Sequence, residues 1–142
     1  MIRFMKRTGK KGTGNKVLEI EWARLVSSGK TCPRCGSTGK ELEKAASILR
    51  RSLSPLGIKV ALKKGKISLP KFKKAPLQSN KILVNGAPLE SWLGGKTGKS
   101  PCCSVCGPSK CRTVETGGRV FETIPAKMIV RAGLAAASRM RA

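Results

Sequence analysis

Apolar and polar positions alternate near the start of the chain. Leu18, Ile20 and Trp22 are separated by single polar residues, which is the period of a half-buried β-strand. Residues 1–16 are instead rich in Gly and Lys and offer little to bury. The pattern therefore predicts a disordered basic arm over 1–16 and one domain over 17–142.

The spacing of apolar positions becomes helical further on. Thr38 and Glu41 have the spacing of a capping box, which predicts a helix that begins at Thr38. Apolar residues then recur every three or four positions, at Leu42, Ala45, Ala46, Leu49, Leu53 and Leu56. Pro55 and Gly57 end the predicted helix.

Alternation returns over 58–62 and predicts a second strand. A helical crossover between two strands favours a parallel pair. A short apolar run at 82–84 then ends in Asn85-Gly86, which is typical of a tight turn after a strand. Two strands parallel to each other and a third beyond them indicate an α/β domain.

The last third of the chain changes character. Residues from about 87 to 111 are rich in Gly, Ser, Pro and Cys and predict a long Cys-rich loop of the kind that often carries function. A hairpin or a bent strand over 112–115 and 119–122 follows, and Pro125 opens a final amphipathic helix. The predicted order is β-α-β-(short helix)-β-loop-β-α, a mixed four-stranded sheet flanked by helices, with the Cys-rich loop as an insertion.

The chemistry of the chain rests on thiols, because it has six cysteines, no His and no Tyr, and all its acidic residues are Glu. The first cluster is Cys32-Pro33-Arg34-Cys35, which the predicted helix start places in a loop ahead of the helix. The second cluster comprises Cys102, Cys103, Cys106 and Cys111. Few other side chains here titrate near neutral pH.

A Cys-x-x-Cys pair suits thiol–disulfide exchange. One thiolate attacks a disulfide and the second releases the product. We predict Cys32 as the nucleophile and Cys35 as the resolving thiol. Lys30, Arg34 and Lys40 are close in sequence, so their positive charges favour lowered thiol pKa values.

Metal binding is the alternative chemistry for the same residues. Cys-Pro-x-Cys-Gly is also the form of a zinc knuckle, and Cys103 to Gly107 forms a second one, so two knuckles offer four thiolates to one Zn²⁺. The two are separated by far more than the roughly 15–20 residues of compact zinc ribbons. A folded domain must therefore lie between them if they share a metal.

The second cluster also offers four thiolates by itself. Zinc or an iron–sulfur cluster fits by ligand count, although the spacing matches neither ferredoxin run. The adjacent Cys102 and Cys103 suit a soft ion such as Cu(I). The sequence leaves open whether there is one thiol site or two, and whether they bind metal or cycle through disulfides.

A net charge of +23 adds a second kind of partner. Such a charge favours salt-dependent, sequence-blind association with nucleic acid, although a solvated lysine surface is the plainer explanation. The densest patch is Lys59, Lys63, Lys64, Lys66, Lys71, Lys73 and Lys74. Phe72 is the single aromatic residue within it, so no platform for base stacking is predicted. A zinc-stabilised, basic nucleic-acid-binding protein is therefore the alternative to a thiol redox protein.

No apolar run is long enough to span a bilayer, and the N-terminus lacks the apolar core of a signal peptide. We expect a cytoplasmic protein with no membrane association. In a reducing compartment, clustered cysteines serve more often as metal ligands or redox groups than as permanent disulfides. The expected partners are a redox partner protein or a thiophilic metal ion.

Taken together, these motifs resemble the thioredoxin-like fold. The Cys-x-x-Cys follows the first strand, Val84-Asn85-Gly86 ends a later one, and a Gly-Gly hairpin precedes the last helix. More narrowly, residues 31–38 and 100–107 resemble a prokaryotic family of unknown function thought to be thioredoxin-like. This resemblance implies the fold and suggests thiol chemistry. It also implies a cis-proline at the start of the third strand, where this chain has Ser79-Asn80.

Overall fold

The computed structural model describes residues 16–26, 33–101 and 110–140. The strands are β1 (Lys16–Leu25), β2 (Ile58–Ile67), β3 (Lys81–Val84), β4 (Ala87–Pro88), β5 (Lys96–Pro101), β6 (Lys110–Thr116) and β7 (Arg119–Phe121). The helices are α1 (Pro33–Leu53), α2 (Leu69–Lys74), α3 (Leu89–Trp92) and α4 (Ala126–Ser138), and 3₁₀ turns lie at Ser54–Leu56 and Pro76–Gln78.

The main sheet has four strands in the order β2-β1-β3-β4. β1 and β2 are parallel with Leu18 opposite Val60, and β3 runs antiparallel to β1 with Trp22 opposite Ile82. The α/β class and the mixed four-stranded sheet with helices are therefore confirmed. A second sheet, β5-β6-β7, has three antiparallel strands.

The core lies between the main sheet and the pair of helices α1 and α4. Leu18, Ile20 and Trp22 of β1 are at most 4% exposed. Gly133 lets α4 pack closely against α1 and β1, because a Cβ there would lie 2.7 Å from Leu49 Cδ1 and 3.4 Å from Leu18 Cδ2. Burial of this alternating stripe is what the sequence pattern predicted.

The first correction concerns the start of α1. The helix begins at Pro33, not at Thr38, and Pro is favoured in the first turn because it has no N–H to leave unpaired. Thr38 is fully buried within the helix. The last three residues of the Cys-x-x-Cys, Pro33, Arg34 and Cys35, thus belong to the first turn of the helix and do not precede it.

The second correction concerns the predicted loop over 87–111. Residues 87–101 form β4, α3 and β5, and Lys110 and Cys111 begin β6. β5 is polar and rich in Gly and Lys, so it lacks the apolar–polar alternation from which a strand is predicted. It forms because its backbone pairs with β6. Three of the cysteines in that stretch, Cys102, Cys103 and Cys106, lie outside the described residues.

Two boundaries in the lysine-rich and N-terminal parts also differ. β1 begins at Lys16, one residue before the predicted domain start, and the arm at 1–15 lies outside the described residues. β2 continues to Ile67 through Lys63, Lys64 and Lys66, because β1 provides a parallel partner along its full length. Among the described helices, none is long and apolar enough to cross a membrane.

Candidate thiol site

The Cys-x-x-Cys straddles the start of α1. Cys32 lies outside the described residues and directly precedes the helix, while Cys35 is the third helical residue. The first N–H groups of a helix have no intrahelical partner and carry its partial positive charge. A thiolate at this end of a helix is stabilised relative to a thiol.

The indole of Trp22 packs against α1 one helical turn beyond Cys35. Positions 35 and 39 are four residues apart and therefore share one face of α1. Gly39 leaves room for the indole, since a Cβ there would lie 2.9 Å from Trp22 Cη2. The guanidinium of Arg24 lies 5.2 Å from the centroid of the Trp22 ring, which places a fixed positive charge at the same end of β1.

Asn80 occupies the place for which the resemblance implied a cis-proline. It is buried, its φ is +58°, and the described residues contain no cis peptide bond. Its backbone N–H donates to Ala23 O at 2.8 Å, and its Oδ1 accepts from Trp22 Nε1 at 3.2 Å. Its Nδ2 donates to Glu122 O at 3.1 Å. The only sequence signal for such a role is that Asn tolerates positive φ better than most residues.

The segment 122–124 connects this network to α1 and to the second sheet. Ile124 N donates to Thr38 Oγ1 at 3.2 Å, one helical turn beyond Cys35. Ser100 Oγ donates to Glu122 Oε2 at 2.9 Å, and Ser100 is the register partner of Cys111. The backbone of Cys111 therefore lies at the end of the molecule where α1 begins.

The route of the chain explains this juxtaposition. The turn after β3 does lie at the opposite end of the main sheet, where Asn85 N donates to Glu19 O at 2.7 Å. β4 and α3 then turn the chain, and β5 returns it to the end that holds Asn80 and Glu122. The structure thus places the backbone of Cys111 opposite Ser100, whose side chain contacts Glu122 in the segment that also donates to Thr38 of α1.

The second sheet is held in place by a buried ion pair. Arg112 Nη2 of β6 lies 2.7 Å from Glu90 Oε2 of α3, with side chains 7% and 4% exposed. Thr97 Oγ1 donates to the same carboxylate oxygen at 2.6 Å, and Arg112 Nη1 donates to Leu77 O at 2.9 Å. Sequence reasoning missed this pair, because neither residue lies in a recognisable motif.

Within the described residues, no group of three or more His, Cys, Asp or Glu side chains is placed to hold a metal ion. Of the four predicted metal ligands, only Cys111 lies in the described part of the chain, where it belongs to β6. The other three are Cys102, Cys103 and Cys106. The ligand role of Cys111 remains a prediction. Trp22 is buried in the core, and Trp92 is partly buried and packs against it.

Residues 18–133 match the model of a family described as a domain of unknown function, DUF2703. A protein of Archaeoglobus fulgidus, described as uncharacterized, is 41% identical over 112 residues, which cover 79% of this chain and 82% of the relative. The chain belongs to the DUF2703 family. No solved structure matches.

Proposed function

We propose that this protein is a thioredoxin-like thiol protein that carries out thiol–disulfide exchange at Cys32 and Cys35. The observation that carries the proposal is the position of Cys35 in the first turn of α1, the helix that connects the parallel strands β1 and β2. This position supplies the helix N-terminus that a reactive cysteine pair uses. The arrangement of Cys-x-x-Cys, Val-Asn-Gly strand end and final helix supports the fold assignment.

The exchange conserves atoms and electrons. The Cys32 thiolate attacks one sulfur of a partner disulfide, which forms a mixed disulfide and releases one partner thiolate. The Cys35 thiolate then attacks the Cys32 sulfur, closes an intramolecular disulfide and releases the second partner thiolate. The partner gains two electrons, and a dithiol reductant must return the pair to the reduced state.

Local charge supports Cys32 and Cys35 as the reactive pair. Arg24 lies over the Trp22 ring, which itself packs under the first turns of α1. We expect the positive charge of the Arg24 guanidinium to lower the pKa of the attacking thiol, in addition to the effect of the helix N-terminus.

Soft-metal binding by Cys102, Cys103, Cys106 and Cys111 is the second candidate. The observation that favours it is that β5 and β6 hold both ends of this cluster, at Pro101 and Lys110, in one antiparallel pair. This pair of strands holds together the two ends of the short connection between Pro101 and Lys110, which contains three of the four cysteines. A bound thiophilic ion such as zinc or Cu(I) would then order that connection.

The test is the pH dependence of alkylation on anaerobically purified, full-length protein, with mass spectrometry to identify the modified cysteine. Cys32 is expected to react fastest, with a midpoint below that of an ordinary thiol. Arg24→Gln is expected to move the midpoint to higher pH, whereas the control Arg50→Gln, at the far end of α1, leaves it unchanged.

Reduction of a small aromatic disulfide provides the functional readout. Cys32→Ser is expected to abolish it, and Cys35→Ser to accumulate the mixed disulfide. Full turnover by Cys32→Ser would overturn the assignment of the nucleophile. Bound zinc with both Cys32 and Cys35 protected until unfolding would overturn the redox function and favour a structural metal site.

A further inference from the structure

The edge of the main sheet carries a concentrated positive charge. β2 is the edge strand in the order β2-β1-β3-β4, and Lys59, Lys63, Lys64 and Lys66 on it are exposed. α2 follows directly and exposes Lys71, Lys73 and Lys74. With Arg50, which is exposed at the C-terminal end of α1, these residues are called the basic band.

The band continues around the end of the sheet. β2 and β3 lie on opposite sides of β1, so the chain between them, which includes α2, crosses the end of the main sheet. At the other end of β2, Arg50 and Lys59 line a surface concavity of about 330 Å³ with Ser54. A ten-residue strand spans about 30 Å, so the basic band is about as long as one turn of duplex DNA, roughly 34 Å.

Few acidic groups neutralise the basic band. Lys63 lies 3.9 Å from Glu19, and Lys64 is paired with Glu43, whose pKa it lowers by its hydrogen bond and its charge. In the described part of the chain, the remaining lysines of the basic band make no ion pair: Lys59, Lys66, Lys71, Lys73 and Lys74. A surface with this excess of unpaired charge attracts a polyanion.

Lysines on an edge strand have a plainer role, because they prevent edge-to-edge pairing of sheets. That role accounts for the four lysines of β2 but not for the lysines of α2, which lie on a helix. Phe72 of α2 is fully buried in the core, so the backbone that carries its three exposed lysine neighbours is anchored to the domain. This anchoring distinguishes the lysines of α2 from those of an unstructured tail.

The buried state of Phe72 also indicates the form of the ligand. Single-strand binders stack bases on exposed aromatic rings, and the one aromatic residue of the lysine patch offers no exposed face. We propose that the basic band binds the sugar-phosphate backbone of double-stranded nucleic acid, without reading its sequence. This binding is independent of the thiol chemistry proposed above.

The test measures binding of a fluorescently labelled duplex DNA to the reduced, full-length protein by anisotropy across a salt series. The band variant combines Lys66→Gln, Lys71→Gln, Lys73→Gln and Lys74→Gln. The control variant combines Lys99→Gln, Arg119→Gln, Lys127→Gln and Arg131→Gln, which are exposed and outside the basic band. Both variants lose the same net charge.

Each phosphate contact contributes about 0.9 to the slope of log affinity against log salt. If all four lysines contact phosphates, the band variant loses about 3.6 from the slope, whereas the control variant keeps most of the wild-type slope. Replacement of the same four lysines by Arg is expected to preserve the slope. Unchanged circular dichroism is expected for both variants.

Three results would overturn the proposal. Equal loss of affinity in the band and control variants would mean that only total charge matters. Equal affinity for poly-glutamate and duplex DNA, lost in the same variant, would assign the basic band to an acidic protein instead. Failure of the wild type to bind duplex DNA at about 50 mM salt would exclude the nucleic-acid partner.

Discussion

At the scale of single residues, Glu90 and Arg112 show how a charged pair positions a structural unit. Their side chains are nearly fully buried, and the carboxylate oxygen that Arg112 contacts also accepts from Thr97. Arg112 further donates to Leu77 O of the 3₁₀ turn before β3. The Glu90 carboxylate therefore connects α3, β5 and β6, and Arg112 attaches them to the 3₁₀ turn before β3.

We expect Arg112→Met to lower the free energy of unfolding by about 3–5 kcal/mol, because it leaves the Glu90 carboxylate buried without its charged partner. Urea denaturation measures this loss. The double variant Glu90→Gln/Arg112→Met is expected to recover part of it, since no buried charge remains. A double variant less stable than both single ones would contradict this account.

At the scale of elements, α1 provides acceptors for the start of α4. The predicted capping box of Thr38 and Glu41 acts on a different helix: Thr38 Oγ1 accepts from Ile124 N, and Glu41 Oε1 accepts from Ala126 N at 2.9 Å. Ala126 is the first residue of α4, and Pro125 before it has no side chain that can cap the helix. The first N–H group of α4 and the N–H of Ile124 just before the helix thus find acceptors on α1.

Thr38→Val tests this arrangement at a fully buried position. Val keeps the shape of Thr but removes the acceptor, so the Ile124 N–H is left unpaired at an expected cost of about 1–3 kcal/mol. Thr38→Ser retains the hydroxyl and is the matched comparison. A Thr38→Val protein as stable as Thr38→Ser would show that water or another group accepts from Ile124.

The pH dependence of stability provides an independent check on Glu41. The hydrogen bond from Ala126, followed by Lys44, lowers the pKa of Glu41 below its ordinary value of 4.5. A carboxyl with a depressed folded-state pKa stabilises the protein above the unfolded-state pKa, and this contribution disappears as the pH falls through the folded-state pKa. Between neutral pH and acid, wild-type stability is therefore expected to fall more steeply than that of Glu41→Gln.

Much of the element pattern could be predicted from the sequence. β1, α1, β2, β3 and α4 follow from local periodicity, because each buries one face against the core. The start of α1 was predicted five residues late because Thr-x-x-Glu can cap its own helix or accept hydrogen bonds from another one. In this protein Glu41 accepts from Ala126 of α4, a contact that the spacing alone does not show. β5 was missed because its Gly and Lys residues show no alternation.

The candidate thiol site was predicted in its residues but not in its surroundings. Cysteine spacing is visible in a sequence, and so is the strand before Cys32. The placement of Trp22 under Gly39, and of Asn80 between Trp22 and Glu122, depends on contacts between positions far apart in the chain. The spacing of residues along the sequence does not show such contacts.

At the scale of the whole molecule, the dominant feature is a net charge of +23. Self-repulsion of this size destabilises a compact state, and surface ion pairs such as Lys63–Glu19 and Lys96–Glu115 offset little of it. Salt screens repulsion beyond roughly 10 Å at 0.1 M. Net charge and its screening therefore set the conditions under which the protein is most stable.

We expect the Tm to rise with added NaCl, by about 3–5 °C for each 1 kcal/mol of repulsion that is screened. Differential scanning calorimetry at constant pH measures the change. The variant with Lys99, Arg119, Lys127 and Arg131 replaced by Gln is expected to be more stable at low salt and to gain less from NaCl. A Tm that falls with salt would mean that attractive ion pairs outweigh the repulsion.

The sequence by itself determined the α/β class, the family and the thiol groups available, because alternation, helical spacing and cysteine content are local properties of the chain. Only the tertiary structure decided that α1 starts within the Cys-x-x-Cys, that Thr38 and Glu41 serve α4, and that β5 returns the chain so that Cys111 shares an end of the molecule with Cys35. These depend on long-range pairing and buried hydrogen bonds. Their free energies are defined only once distant segments have been brought into contact.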